Sequence, residues 1–206
     1  MNALLRSYSR NIATYASNVT IMEDMINEGI EISSNTFRDY KITLEKLFII
    51  ENIPSWPTSI RSKTALRKSD KKLLVDTSLV CSSLRLTSAK ILTDFNYFGF
   101  LFEALALRDL RIYIDSIDGN IFNYREEKGY EIDAILELND GRWGAVEIKL
   151  GEEKVDEAAT NLLQLKNKIN TDIKGKPSFL MVLYGGQNSY QRSDGVLVVS
   201  IANLKN

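Results

Sequence analysis

Four residues in the second half of the chain have the types and order that metal-assisted hydrolysis needs: Glu103, Asp133, Glu147 and Lys149. Successive side chains of a strand point to opposite faces. On a strand over 142–150, Glu147 and Lys149 therefore share one face, and Val146, Ile148 and Leu150 take the other. The same rule groups Glu131, Asp133 and Ile135 on a strand over 131–138, with Ile132, Ala134 and Leu136 opposite. Asn139-Asp140-Gly141 between them tolerates positive φ and predicts a hairpin that brings Asp133 near Glu147 and Lys149. Two carboxylates suit magnesium or manganese, which favour oxygen ligands and keep waters in their remaining positions. A lysine beside such a metal could orient or deprotonate a water, or stabilise the charge that develops on a cleaved phosphodiester. Glu103, on a preceding helix, could complete the ligand set or hold a metal-bound water. The same residues also suit a plain polar strand face on which Asp133 pairs with Lys149 for about 0–1 kcal/mol. Spacing alone leaves both readings open.

Composition removes most other chemistries. The chain has no histidine and a single cysteine, Cys81. No Ser-His-Asp triad, Cys-His pair, internal disulfide or usual structural zinc site can be assembled from it. It contains no GxxxxGK[ST] phosphate loop and no GxGxxG turn, so no nucleotide site of those kinds is encoded. No apolar run approaches the roughly 20 residues that span a bilayer. The first residues, MNALLRSYSRNIATYA, lack the apolar core of a secretory signal, and the expected compartment is the cytoplasm with no membrane partner.

The elements that must position the four residues follow from periodicity. A helix opening near Gly99 would carry Leu101, Ala104, Leu105 and Leu107 on one face, with Glu103 among them. Ile112–Ile117 and Asn120–Tyr124 flank Asp118-Gly119 and read as a hairpin. Val155, Ala158, Ala159, Leu162, Leu165 and Ile169 recur at helical spacing over 152–169, and the apolar runs 179–184 and 196–201 read as buried strands. Ahead of these lies a helical region. Thr20–Ile26 is amphipathic and ends in the turn residues Asn27-Glu28-Gly29. Phe37–Ile49 forms a second helix with Phe37, Tyr40, Leu44, Leu47 and Phe48 as its apolar side and Ser33, Ser34 or Asn35 as its cap. A loop containing Pro54 and Pro57 and a basic stretch then lead to Lys72-Leu73-Leu74-Val75, an order compatible with a winged helix and its β-ribbon. Residues 1–90 hold 13 Lys/Arg against 9 Asp/Glu, a net of +4, whereas the remainder carries −5. A basic front and an acidic back suggest two modules joined by Leu84–Asp94. Arg61, Lys63, Arg67, Lys68, Lys71 and Lys72 could contact DNA phosphates, or form an ordinary solvated surface.

Gly129-Tyr130-Glu131-Ile132-Asp133-Ala134-Ile135-Leu136 followed by Val146-Glu147-Ile148-Lys149 resembles the PD-(D/E)XK nuclease superfamily. A helical Glu, a strand Asp, an ExK strand and an amphipathic helix come in that superfamily's order. Over nearly its whole length the chain also resembles the C-terminal region of AAA-type ATPases from bacteria and archaea, a region long called a domain of unknown function. The matching features are the winged-helix-like segment, Lys71–Leu79, Gly99-Phe100-Leu101-Phe102-Glu103, Tyr124-Arg125 and the two strand motifs. The resemblance implies an α/β chain: a small winged-helix-like α/β module over 1–83, then over 84–206 a nuclease-like mixed sheet flanked by helices. It implies Asp133 and Glu147 as ligands of magnesium or manganese, Lys149 as the water-positioning or charge-stabilising residue, and Glu103 as an auxiliary. DNA and an upstream, ATP-binding ATPase domain are the implied partners. The rival expectation is a non-catalytic module that docks protein or regulates the ATPase and keeps the quartet as a salt-bridge network. The acidic second half favours that rival, because phosphates approach carboxylates readily only where positive charge surrounds them.

Overall fold

The computed structural model describes residues 1–58, 69–126 and 129–204. The chain divides into two compact units, Met1–Ile53 with Ser69–Leu105, and the described part of Pro54–Lys68 with that of Ala106–Asn206.

The first unit is helical. Helices α1 (Asn2–Arg10), α2 (Asn18–Asn27), α3 (Ser34–Lys46), α4 (Thr77–Leu84) and α5 (Ser88–Ile91) precede the start of α6 (Phe95–Asp115). The caps follow from sequence: Ser17, Ser33 and Asp76 accept the backbone N–H of Thr20, Thr36 and Ser78, respectively. Gly29, at φ 78°, ends the turn after α2, as its sequence predicts. In place of a β-ribbon ladder, the described residues show two isolated antiparallel bridges, Ile50 with Leu74 and Ile53 with Lys71. Phe37 and Leu44 face inward as expected, but Leu47 and Phe48 do not. The helix stops at Lys46, and Phe48 takes φ 55°, which turns the chain out of the helical path and leaves both side chains exposed.

The second unit is a mixed sheet. Strands β1 (Gly119–Arg125), β2 (Glu131–Leu138) and β3 (Trp143–Lys149) form an antiparallel meander. Helix α7 (Val155–Lys168) and the short α8 (Thr171–Lys174) then cross to β4 (Phe179–Tyr184), parallel to β3. A two-strand edge, β5 (Tyr190–Gln191) and β6 (Leu197–Ser200), completes the order β1-β2-β3-β4-β6-β5. A helix between parallel neighbours is what such a connection requires. Leu162 and Leu165 of α7 are fully buried with Val182 and Val198 of the sheet, each leucine contributing about 2 kcal/mol by burial. The strand predicted over 112–117 is overturned: α6 runs on to Asp115 because Leu107, Leu110 and Ile114 prolong a buried stripe at helical spacing. Asp118-Gly119 consequently joins a helix to β1, with Asp118 at φ 57°. Alongside β1, Trp56 packs on Trp143 at 4.9 Å, and its indole N–H donates to Glu137.

Candidate functional site

Bonding between β2 and β3 begins at the turn, where Glu137 pairs with Trp143, and ends at Ala134 opposite Val146. Beyond that point the Asp133 side chain replaces the backbone: its Oδ2 accepts the Ile148 N–H at 2.8 Å. The reason lies on the other side of β2. Phe122 pairs with Ile135 but Tyr124 pairs with Ile132, so Asp133 and Ala134 together oppose the single residue Asn123. This is a bulge, and bulges re-aim side chains. Strict alternation predicts Ile132 and Ile135 on opposite faces; with the bulge, both join the core that packs on α7. Asp133 is released from that alternation and turned toward β3.

Glu147 and Lys149 keep the shared face that their spacing predicts. The Lys149 ammonium donates to Glu147 Oε2 at 2.6 Å and to Asp133 Oδ2 at 3.2 Å. Both carboxylates are buried, Asp133 5% and Glu147 2% exposed, whereas the Lys149 side chain retains 27%. Three of the four residues predicted from sequence therefore converge in a largely dry setting, with a net charge of −1 when all three are ionised. Burial, and then the neighbouring Asp133 charge, push the Glu147 carboxyl well above its ordinary range. Burial works against the Lys149 ammonium, but Asp133 and Glu147 outweigh it and raise its pKa, so Lys149 stays protonated.

Two further groups flank this cluster that strand spacing cannot reveal. The Asn161 side-chain amide of α7 lies 3.5 Å from Glu147 Oε1, and the Tyr130 hydroxyl donates to the Asn161 backbone carbonyl at 2.6 Å. Burial raises the Tyr130 pKa, and the charge of Glu147 adds to it. The available signal for Asn161 is its place between Ala158 and Leu165, a polar residue inside the buried stripe of an amphipathic helix.

Glu103 belongs to the first unit, where the Lys71 ammonium holds its carboxylate and lies 5.3 Å from the Tyr15 ring centroid. Lys71 is 1% exposed and Lys72 4%, which removes both from the solvated basic face expected for phosphate contact. Their backbones explain it: Lys71 is bridged to Ile53, and Lys72 exchanges N–H and C=O with Thr14 and Ala13, so both are drawn inward. Arg61, Lys63, Arg67 and Lys68 lie outside the described residues.

Burial lowers the Lys72 pKa, and nearby Lys41 adds to the effect. Among the described residues no side chain pairs with its ammonium, so Lys72→Met should gain about 1 kcal/mol in urea unfolding at constant m. The penalty is full below the folded-state pKa and is relieved as pH rises through it, so the gain should shrink in alkali. A loss of stability on this substitution would show that the ammonium is compensated.

Asp133 and Glu147 are the residues that could hold a divalent ion. Hard oxygen ligands and a surplus negative charge fit magnesium or manganese, although no group of three or more acidic, histidine or cysteine side chains is gathered among the described residues. The protein would then supply two carboxylates, and water the remaining positions. No helix among the described residues is long and apolar enough to cross a membrane.

Comparison with known proteins also finds two segments, with bounds that differ from those of the two compact units. A family model described as a domain of unknown function, DUF8612, matches residues 1–90, and another, described as Domain of unknown function (DUF4143), matches residues 98–204. No curated protein and no solved structure matches the chain. The DUF4143 match covers just over half of the sequence and contains the whole Asp133–Glu147–Lys149 cluster, so the chain belongs to the DUF4143 family.

Proposed function

We propose that the cluster is a divalent-metal site of the PD-(D/E)XK type, acting on phosphodiesters within a DNA-interacting C-terminal module of an AAA-type ATPase. The observation that carries this reading is a pair of buried carboxylates set side by side by a β-bulge around one ammonium, so that ionising both leaves a charge that a further cation would offset. Purely structural ion networks are ordinarily balanced, because an uncompensated buried charge is costly. Asp133 and Glu147 would hold the ion; Lys149, kept protonated by both, would stabilise charge on a phosphate oxygen rather than abstract a proton. A bound metal would add a water of lowered pKa and a positive centre for the phosphate. The Asn161 amide would keep Glu147 oriented from the α7 side.

A docking or regulatory module is the second reading. Its support is that Lys149 already bonds both carboxylates, which closes the network without a ligand. Cleavage of single-stranded, duplex and branched DNA in magnesium and in manganese separates the two readings. Activity in the wild type that disappears in Asp133→Ala and in Lys149→Ala, both compared at matched folded fraction, is the expected result. A folded wild type that cuts none of these substrates would transfer the weight to docking.

A further inference from the structure

The first unit contains a cavity of about 720 Å³ whose lining has no part in the cluster described above. Arg6 and Arg10, one turn apart on α1, project from the same side of that helix and both reach into its lining. Ser82 and Ser83, at the end of α4, and Arg85, the residue that closes it at φ 52°, supply the facing wall. None of the described lining residues is acidic.

The charge balance is what makes this cavity more than a packing gap. Arg6 and Arg10 both bond the Glu28 carboxylate, so one negative charge serves two guanidinium groups. Each of these arginine side chains is still 39% exposed. Arg85 is exposed, and among the described residues no side chain pairs with its guanidinium. The concavity thus carries a surplus of two positive charges, where self-neutralisation would leave none. A concave surface concentrates such a field. Guanidinium forks match phosphate oxygens in bidentate fashion, and the Ser82 hydroxyl adds a donor, whereas that of Ser83 already bonds Ser9. The rest of the wall is aliphatic, with Leu5, Leu79 and Leu84. A simple inorganic anion would leave that surface unused, and the volume falls in the range of pockets for small organic ligands.

We propose that this cavity binds a nucleoside phosphate, with the phosphate on Arg6, Arg10 and Arg85 and the base against the leucines. The ligand is either a free nucleotide or the phosphorylated end of a nucleic-acid strand. The site is separate from the carboxylate cluster and does not depend on its chemistry.

Titration calorimetry of the full chain at low ionic strength, with adenosine monophosphate, a 5′-phosphorylated short oligothymidylate and its unphosphorylated counterpart, tests the proposal. The expected result is saturable binding that requires the phosphate, weakens about tenfold in Arg85→Gln, and declines with added salt. Arg85 is the informative position because its side chain has no internal partner among the described residues, so the melting temperature of the variant should match the wild type. Equal affinity for the mononucleotide assigns the site to free nucleotides; binding of the phosphorylated strand alone assigns it to strand ends. Asp133→Ala should leave the affinity unchanged, which separates this site from the proposed cleavage site. No binding of either phosphorylated probe at about millimolar concentration, or affinity indifferent to both Arg85→Gln and Arg10→Gln, would overturn it.

Discussion

Glu147→Gln should stabilise the metal-free protein by about 1–2 kcal/mol near pH 8 and abolish the proposed binding of manganese. The two effects have one origin. In the wild type two buried carboxylates share one ammonium, and the Glu147 carboxyl is raised well above its ordinary 4.5 by burial and by Asp133. A carboxyl with a raised folded-state pKa binds protons more tightly folded than unfolded, so stability falls as pH climbs from the unfolded value through the folded one. An amide of the same shape removes that loss and leaves Asp133 and Lys149 as a matched pair. The gain should therefore be near zero around pH 4, where Glu147 is protonated in both states, should grow as pH rises toward the folded-state pKa, and should level off above it. Urea unfolding in the presence of a chelator gives the stability, and calorimetry without it gives the metal affinity. A variant that is less stable than the wild type across this pH range would mean that the Glu147–Lys149 bond is structural, and would favour the docking reading.

Only part of the construction of this cluster is legible in the sequence. The Glu147-x-Lys149 spacing reports a shared strand face directly, because β3 is regular from Trp143 to Lys149. Asp133 was harder to read. Its proximity to Glu147 follows from the hairpin at Asp140-Gly141, but its turn toward β3 depends on a bulge against Asn123, and nothing in the alternation of β2 announces that irregularity. Ile132 and Ile135 are the visible trace: they are three residues apart, yet face one core. The end of α6 departs from its sequence expectation for a related reason. Ile112–Ile117 is rich in β-branched residues, a local preference, whereas the buried stripe of Leu107, Leu110 and Ile114 is a tertiary one, and the tertiary preference prevails. Lys71 and Lys72 show the same conflict in charge. A basic run reads as solvated, but backbone bonds to Ile53, Ala13 and Thr14 draw these two inward, and Glu103 supplies the counter-charge for Lys71 alone.

Removing the cation instead of a carboxylate should have the opposite effect, and a larger one. Lys149→Met leaves Asp133 and Glu147 facing each other without compensation, and the expected cost near pH 8 is about 2–4 kcal/mol. The figure lies below the upper range for a broken buried pair because the Lys149 side chain keeps 27% of its exposure and some of the charge is already screened. Methionine retains the aliphatic stem, so the loss reports on charge rather than on packing. Without the ammonium, Glu147 should be raised further, since Lys149 is the group that pulls it down. Near pH 5 Glu147 carries its proton in both proteins, so only the Lys149–Asp133 pairing is lost there and the cost should shrink to about 1 kcal/mol. Manganese gives an independent check, because a divalent ion between the two carboxylates replaces the missing positive charge. Millimolar manganese should recover much of the lost stability near pH 8, through ligand-linked stabilisation of the folded state, and none in Asp133→Asn combined with Lys149→Met. Recovery confined to the single variant would place the ion between Asp133 and Glu147 without any assay of cleavage. A loss that is independent of pH and blind to manganese would identify the three residues as a structural network.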